Sequence, residues 1–140
     1  MSTQTVLLLD DDENTLFALR AILERTNVRV VESGDEKGAI GVCTDRSGNI
    51  DLLVADVVLQ GSNGPAVGRK ARVLQPDMRL LFISGYSLSE LGQRGLLRDE
   101  ELAPGTVEFL QKPFTTESFL TSVRSLLAPG TPLNSGAAKL

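Results

Sequence analysis

The chain has 140 residues, 41% hydrophobic and 23% charged, with a formal net charge of −4. That is enough apolar material for one domain with a core, and the acidic balance argues against a nucleic-acid-binding face, which needs basic residues. One cysteine, Cys43, allows no intrachain disulfide and no cysteine-built zinc site, and the absence of histidine removes histidine bases, Ser–His–Asp triads and self-phosphorylation on histidine.

Met1 to Thr5 lack the positive charge of a signal peptide. No apolar run approaches the roughly 20 residues that span a bilayer. With a lone cysteine, expected to be a buried apolar residue, the expectation is a cytoplasmic protein that does not contact the membrane directly.

In chain order, Val6 to Leu9 is a short apolar run ending in acid, as in a strand buried on both faces. Thr15 to Arg25 reads as a helix with Leu16, Leu19 and Leu23 on one face and capping groups in Asp12 to Asn14. Val28 to Glu32 is a second strand. Glu36 to Asp45 reads as a helix on Ala39, Ile40 and Cys43, weakened by two glycines. Asp51 to Asp56 is a third strand, again ending in acid, and Gln60 to Gly64 is expected to be a loop. Pro65 opens a helix to Leu74, with Val67, Ala71 and Leu74 on one face. Arg79 to Ile83 is the fourth strand, closed by Ser84-Gly85. Residues 87–105 hold a helical piece, Ser87 to Gln93, and otherwise show no regular pattern. Val107 to Leu110 is the fifth strand, and Thr115 caps a helix to Leu127. Pro129 to Leu140 read as a flexible tail or linker, so the domain is expected over residues 1–127 and the tail over 128–140. Strands alternating with helices imply an α/β doubly wound five-stranded parallel sheet, with helices on both faces.

In such sheets ligands sit at the carboxyl ends of the strands. Here those ends carry Asp10-Asp11-Asp12, Asp56, Ser84 and Lys112. One strand-end aspartate is commonly a turn former or a cap. Several together are harder to accommodate, because carboxylates about 4 Å apart repel by roughly 4 kcal/mol at an effective dielectric of about 20. A proton, a lysine or a metal must neutralise them. Oxygen donors without His or Cys select a hard cation, Mg²⁺ above all. A carboxylate can also attack phosphorus, with Asp56 as nucleophile, Lys112 neutralising charge and Ser84 donating a hydrogen bond. Pro113 disfavours helical angles at Lys112 and favours an extended presentation.

Taken in order, Leu7-Leu8-Leu9-Asp10-Asp11-Asp12-Glu13, Asp51 to Asp56, Asn63-Gly64, Phe82-Ile83-Ser84-Gly85-Tyr86 and Phe109-Leu110-Gln111-Lys112-Pro113-Phe114 resemble the receiver domain of two-component response regulators. The resemblance runs from about Thr5 to Leu127. It is similar to receivers of hybrid sensor histidine kinases and to single-domain regulators. It implies that Asp56 accepts a phosphoryl group, that Asp10, Asp11, Asp56 and the Val58 carbonyl hold Mg²⁺, and that Lys112 and Ser84 contact the phosphoryl group. It also implies a switch in which Phe109 turns inward as Ser84 moves. Phe109 as plain core and Ser84 as a turn former remain alternatives. Two departures stand out: Gln60 where the family often has proline, and an irregular stretch from Leu88 to Pro104.

The partners implied are a histidine kinase or histidine phosphotransfer protein upstream and an unspecified protein downstream, with no nucleic acid. Such a chain is not an enzyme beyond catalysing its own phosphorylation and dephosphorylation. No output domain is expected after Leu127, so it is either a stand-alone regulator or one domain of a longer protein. Three rivals differ in kind. A receiver without phosphorylation would be a docking module. A haloacid-dehalogenase-type phosphatase would use Asp10 and Asp12 but needs an acidic motif where Phe114-Thr115-Thr116 stand. A flavodoxin-like nucleotide binder needs a Ser/Thr/Gly-rich loop where Asp10 to Glu13 stand.

Overall fold

The computed structural model describes residues 3–45 and 49–128; the expected tail from Pro129 lies outside the described residues. Strand β1 (Thr5–Leu9) is buried at every position, as a strand covered on both faces must be. Helix α1 (Glu13–Leu23) starts two residues before the expected Thr15. Asp12 sets that start: its carboxylate accepts the Asn14 N–H and the Thr15 hydroxyl, both at 3.0 Å, which supplies an acceptor to a first turn whose N–H groups have none within the helix.

Strand β2 (Arg29–Ser33), helix α2 (Glu36–Asp45) and strand β3 (Leu52–Asp56) follow. The expected loop at Gln60 to Gly64 instead contains most of a small hairpin, β4 (Val58–Leu59) and β5 (Ser62–Asn63). Gly61 provides the positive φ of its turn, 75°. Helix α3 (Gly64–Leu74) is capped by Asn63, whose Oδ1 accepts the Ala66 N–H at 2.8 Å.

Strand β6 (Arg79–Ser84) leads to helix α4 (Leu88–Gln93), opened by a reciprocal Ser87–Glu90 cap. The stretch without a regular sequence pattern then closes in pieces: Gly95 at φ 71°, one 3-10 turn at Asp99–Glu101, and a bridge from Ala103 to Val107. Leu91 and Leu97 pin it to the core, at 0% and 1% exposure. Strand β7 (Val107–Gln111) and helix α5 (Thr116–Leu127) complete the described chain.

The main sheet is parallel with order β2-β1-β3-β6-β7. The fold is therefore the expected doubly wound α/β sheet with helices on both faces. Residue alternation along the strands builds two cores. Val6, Leu8, Leu52, Val54, Leu81 and Ile83 face α1 and α5, where Leu16, Leu19, Leu23, Phe119 and Val123 meet them. Leu7, Leu9, Leu53, Ala55, Leu80 and Phe82 face α2 and α3, where Ala39, Cys43, Val67 and Ala71 lie. Burial also pushes the Cys43 thiol pKa up, as for an inert core residue.

From β1 the chain goes outward to β2 and then returns across β1 to β3. The order reverses between β1 and β3, and such a switch point opens a crevice at the carboxyl ends of those strands.

Candidate functional site

The crevice holds Asp10 and Asp11, just past the end of β1, and Asp56, the last residue of β3. Each offers a carboxylate oxygen, and these oxygens lie within 4.8 Å of one another. Lys112 reaches in from the end of β7, with Nζ 3.6 Å from Asp56 Oδ2 and 3.9 Å from Asp10 Oδ2. At those separations the lysine is a neighbouring charge rather than a hydrogen-bond donor. The Lys112–Pro113 peptide is cis.

Burial dominates the electrostatics. Asp10 is 3% exposed, and burial, reinforced by Asp56 and Asp11, raises its pKa to about 6 against the pull of the Asp12 N–H and Lys112. That N–H donates to Asp10 Oδ1 at 2.9 Å. Burial also raises the Asp56 pKa, with Lys112 opposing it most strongly and the Val58 N–H next. One lysine thus leaves the cluster short of positive charge. Three carboxylates and no nitrogen or sulfur ligand fit a hard dication such as Mg²⁺, which takes few protein carboxylates and keeps waters.

The raised Asp10 pKa carries a stability consequence. Between about pH 4 and pH 6 the folded chain keeps a proton that the unfolded chain releases, so stability falls as pH rises through that window. A rise of about two pH units corresponds to about 3 kcal/mol, fully present above it. Asp10→Asn keeps the acceptor for the Asp12 N–H and removes the charge. In EDTA at about pH 8 the variant is therefore more stable than the parent by about 1–3 kcal/mol, and the gain vanishes below about pH 4. Urea unfolding at the two pH values measures this; a less stable variant at the higher pH would refute it.

Ser84 ends β6 at 1% exposure, and its Oγ accepts the Tyr86 N–H at 3.1 Å. Its carbonyl accepts the Lys112 N–H at 2.8 Å, so the ends of β6 and β7 are tied together. Phe109 lies beside Phe82 in register and is half-buried against the α2–α3 core. Val58 follows Asp56 closely, its N–H donating to Asp56 Oδ1 at 3.3 Å. Its side chain is 42% exposed, and Tyr86, at 36%, lies under the Arg94 guanidinium, 4.2 Å from the ring centroid.

Two contributors escape a reading of side-chain types. Gly64 packs so close to Asp56 that an added Cβ would collide with the Asp56 carbonyl oxygen; the glycine lets α3 start directly behind the aspartate. Gln60 contributes a backbone N–H, which donates to Asp11 Oδ2 at 2.9 Å. The Asn63-Gly64 pair was a visible signal for the first. No residue type signals the second.

A family model for the response regulator receiver domain matches residues 6–124. The chain belongs to the response regulator receiver family. It is 29% identical over 123 residues to the sensor kinase CckA of Brucella abortus (strain 2308), covering 88% of this chain and 12% of that protein. The response regulator receiver protein CpdR of the same organism is 25% identical over 122 residues, covering 87% of this chain and 95% of CpdR. Among solved structures, the receiver domain of the hybrid histidine kinase CckA superposes with a TM-score of 0.70 at 26% identity, covering 88% of this chain and 98% of that one. A receiver protein from Sinorhizobium medicae WSM419 gives 0.74 at 29% identity, covering 91% and 97%. The chain spans only a fraction of several longer relatives, 12% of CckA and 26% of the transcriptional regulator NtrC of Azospirillum brasilense. Among the described residues, no helix is long and apolar enough to cross a membrane.

Proposed function

We propose that this receiver accepts a phosphoryl group on Asp56 and passes the signal on by a change of shape. The observation that carries the reading is the meeting of Asp10, Asp11 and Asp56 at the sheet's switch point with Lys112 as their neighbouring cation.

Asp10, Asp11 and Asp56 would hold Mg²⁺, with the Val58 carbonyl as the further ligand. Bound there, Mg²⁺ supplies positive charge that neutralises carboxylate and phosphoryl oxygens. Asp56 is the nucleophile: its Oδ forms a bond to phosphorus as the P–N bond of a donor phosphohistidine breaks, and the histidine leaves after taking up a proton. Lys112 stabilises the added negative charge. The Ser84 hydroxyl gives up the Tyr86 N–H and turns toward the phosphoryl oxygens, and Phe109 moves inward into the space released.

The donor histidine lies outside these 140 residues, which hold none. A histidine kinase or histidine phosphotransfer protein fits that role in a cytoplasmic phosphorelay. The only chemistry assigned to the chain is the gain and loss of its own phosphoryl group. Stand-alone regulator and domain of a longer kinase are equally compatible with this reading.

Metal binding tests it first. Tyr86 is the only tyrosine, the chain has no tryptophan, and Tyr86 sits beside Ser84, so its fluorescence reports on the site. Mg²⁺ titration is expected to change that emission saturably and to shift the amide resonances of Asp10, Asp11 and Asp56. Absence of site-specific binding would leave a docking module and contradict the phosphoacceptor reading.

A further inference from the structure

The Gln60 contribution lies in its main chain. Its N–H bonds Asp11 across 49 residues of sequence, joining the β4–β5 turn to the loop after β1. We propose that this N–H is a positioning group for Asp11, holding its carboxylate in the pose that converges with Asp10 and Asp56 and thereby strengthening Mg²⁺ binding. The inference rests on the metal reading of the pocket given above.

Three observations support it. Asp11 is exposed, yet in the conformation that accepts from Gln60 it also presents an oxygen within 4.8 Å of its two partners. A hydrogen bond to a charged carboxylate is strong, and outer partners that orient metal ligands affect affinity.

Second, the donor is held in place. β4 and β5 pair through Val58↔Asn63 and Leu59↔Ser62. The Ser62 hydroxyl donates to Glu36 Oε1 at 2.5 Å, and Lys70 Nζ meets Glu36 Oε2 at 2.5 Å. The Gly64 N–H donates to the Val57 carbonyl at 2.9 Å. The hairpin is thus tied to α2 and α3 by contacts that do not involve Asp11.

Third, the turn does not need a donor at position 60. Its positive φ falls on Gly61, and φ at Gln60 is not positive. A two-residue turn with positive φ at the second position has the type II pattern, which favours proline at the first. Leu59 is in a strand, a conformation that a following proline accepts. Proline at 60 would keep the turn and lose the hydrogen bond.

That separation supplies the experiment. Gln60→Pro removes the N–H, whereas Gln60→Ala removes only the side chain. In calorimetric Mg²⁺ titrations of the full chain, Gln60→Pro is expected to bind about tenfold more weakly and Gln60→Ala like the parent. In the metal-free parent, the Gln60 amide is expected to exchange slowly with solvent and Asp11→Ala to accelerate it. Equal affinity in Gln60→Pro and parent, or equal weakening in both variants, would overturn the proposal. So would a Gln60 amide indifferent to Asp11→Ala, a measurement that stands even if the proline variant fails to fold. No Mg²⁺ binding by the parent would overturn the metal reading itself, and the affinity claim with it.

Discussion

Asp56→Asn is expected to take up no phosphoryl group from a small acyl phosphate in the presence of Mg²⁺, under conditions that label the parent to completion. The amide has the carboxylate's shape but lacks the charged oxygen that attacks phosphorus. Loss of a nucleophile costs on the order of 10⁴-fold or more in rate, beyond the reach of a labelling assay. The variant should nevertheless fold. Burial already disfavours the charged form of Asp56, so a neutral side chain relieves the pocket instead of straining it. A melt of the variant at or above the parent's, together with absent labelling, is the expected pair of results. Labelling equal to the parent's would remove Asp56 from its role.

Lys112→Met is the second large effect. Nζ lies near both Asp10 and Asp56 and is the only cation paired with either among the described residues. Removing one preorganised positive partner of a developing charge typically costs about 10²–10³-fold in rate, and phosphorylation should slow by that much. Mg²⁺ binding should move the other way. Without the lysine the carboxylates attract a dication at least as strongly. Slow labelling with retained or tighter Mg²⁺ binding therefore identifies Lys112 as a charge acting on the phosphoryl group. Loss of both together would make it a structural support for the pocket.

The convergence of the candidate site residues was legible because parallel strands advertise their ends. Leu7-Leu8-Leu9 and Leu52-Leu53-Val54-Ala55 are apolar on both faces, and each gives way to aspartate where the sheet meets solvent. The β-α alternation then places those aspartates on one rim. Asp12 read as a cap and is one, but its two accepted hydrogen bonds start α1 at Glu13, earlier than the apolar pattern indicates.

The β4–β5 hairpin was not legible. Two-residue strands are too short for periodicity, and their role at the site depends on where one main-chain N–H points. The departure from the family's frequent proline at Gln60 was visible, but only the fold reveals the donor that the departure supplies. Residues 87–105 were obscure for another reason. Gly95 and Gly105 interrupt every local pattern, and order comes from tertiary burial of Leu91 and Leu97.

The most direct test of the central claim is to locate the phosphoryl group. After reaction with an acyl phosphate and Mg²⁺, proteolysis and mass spectrometry should find one phosphoryl group, on the peptide containing Asp56. Hydroxylamine should discharge it, as it does acyl phosphates, and EDTA should prevent its formation. A hydroxylamine-resistant group on serine or threonine, or equal labelling in EDTA, would contradict the account.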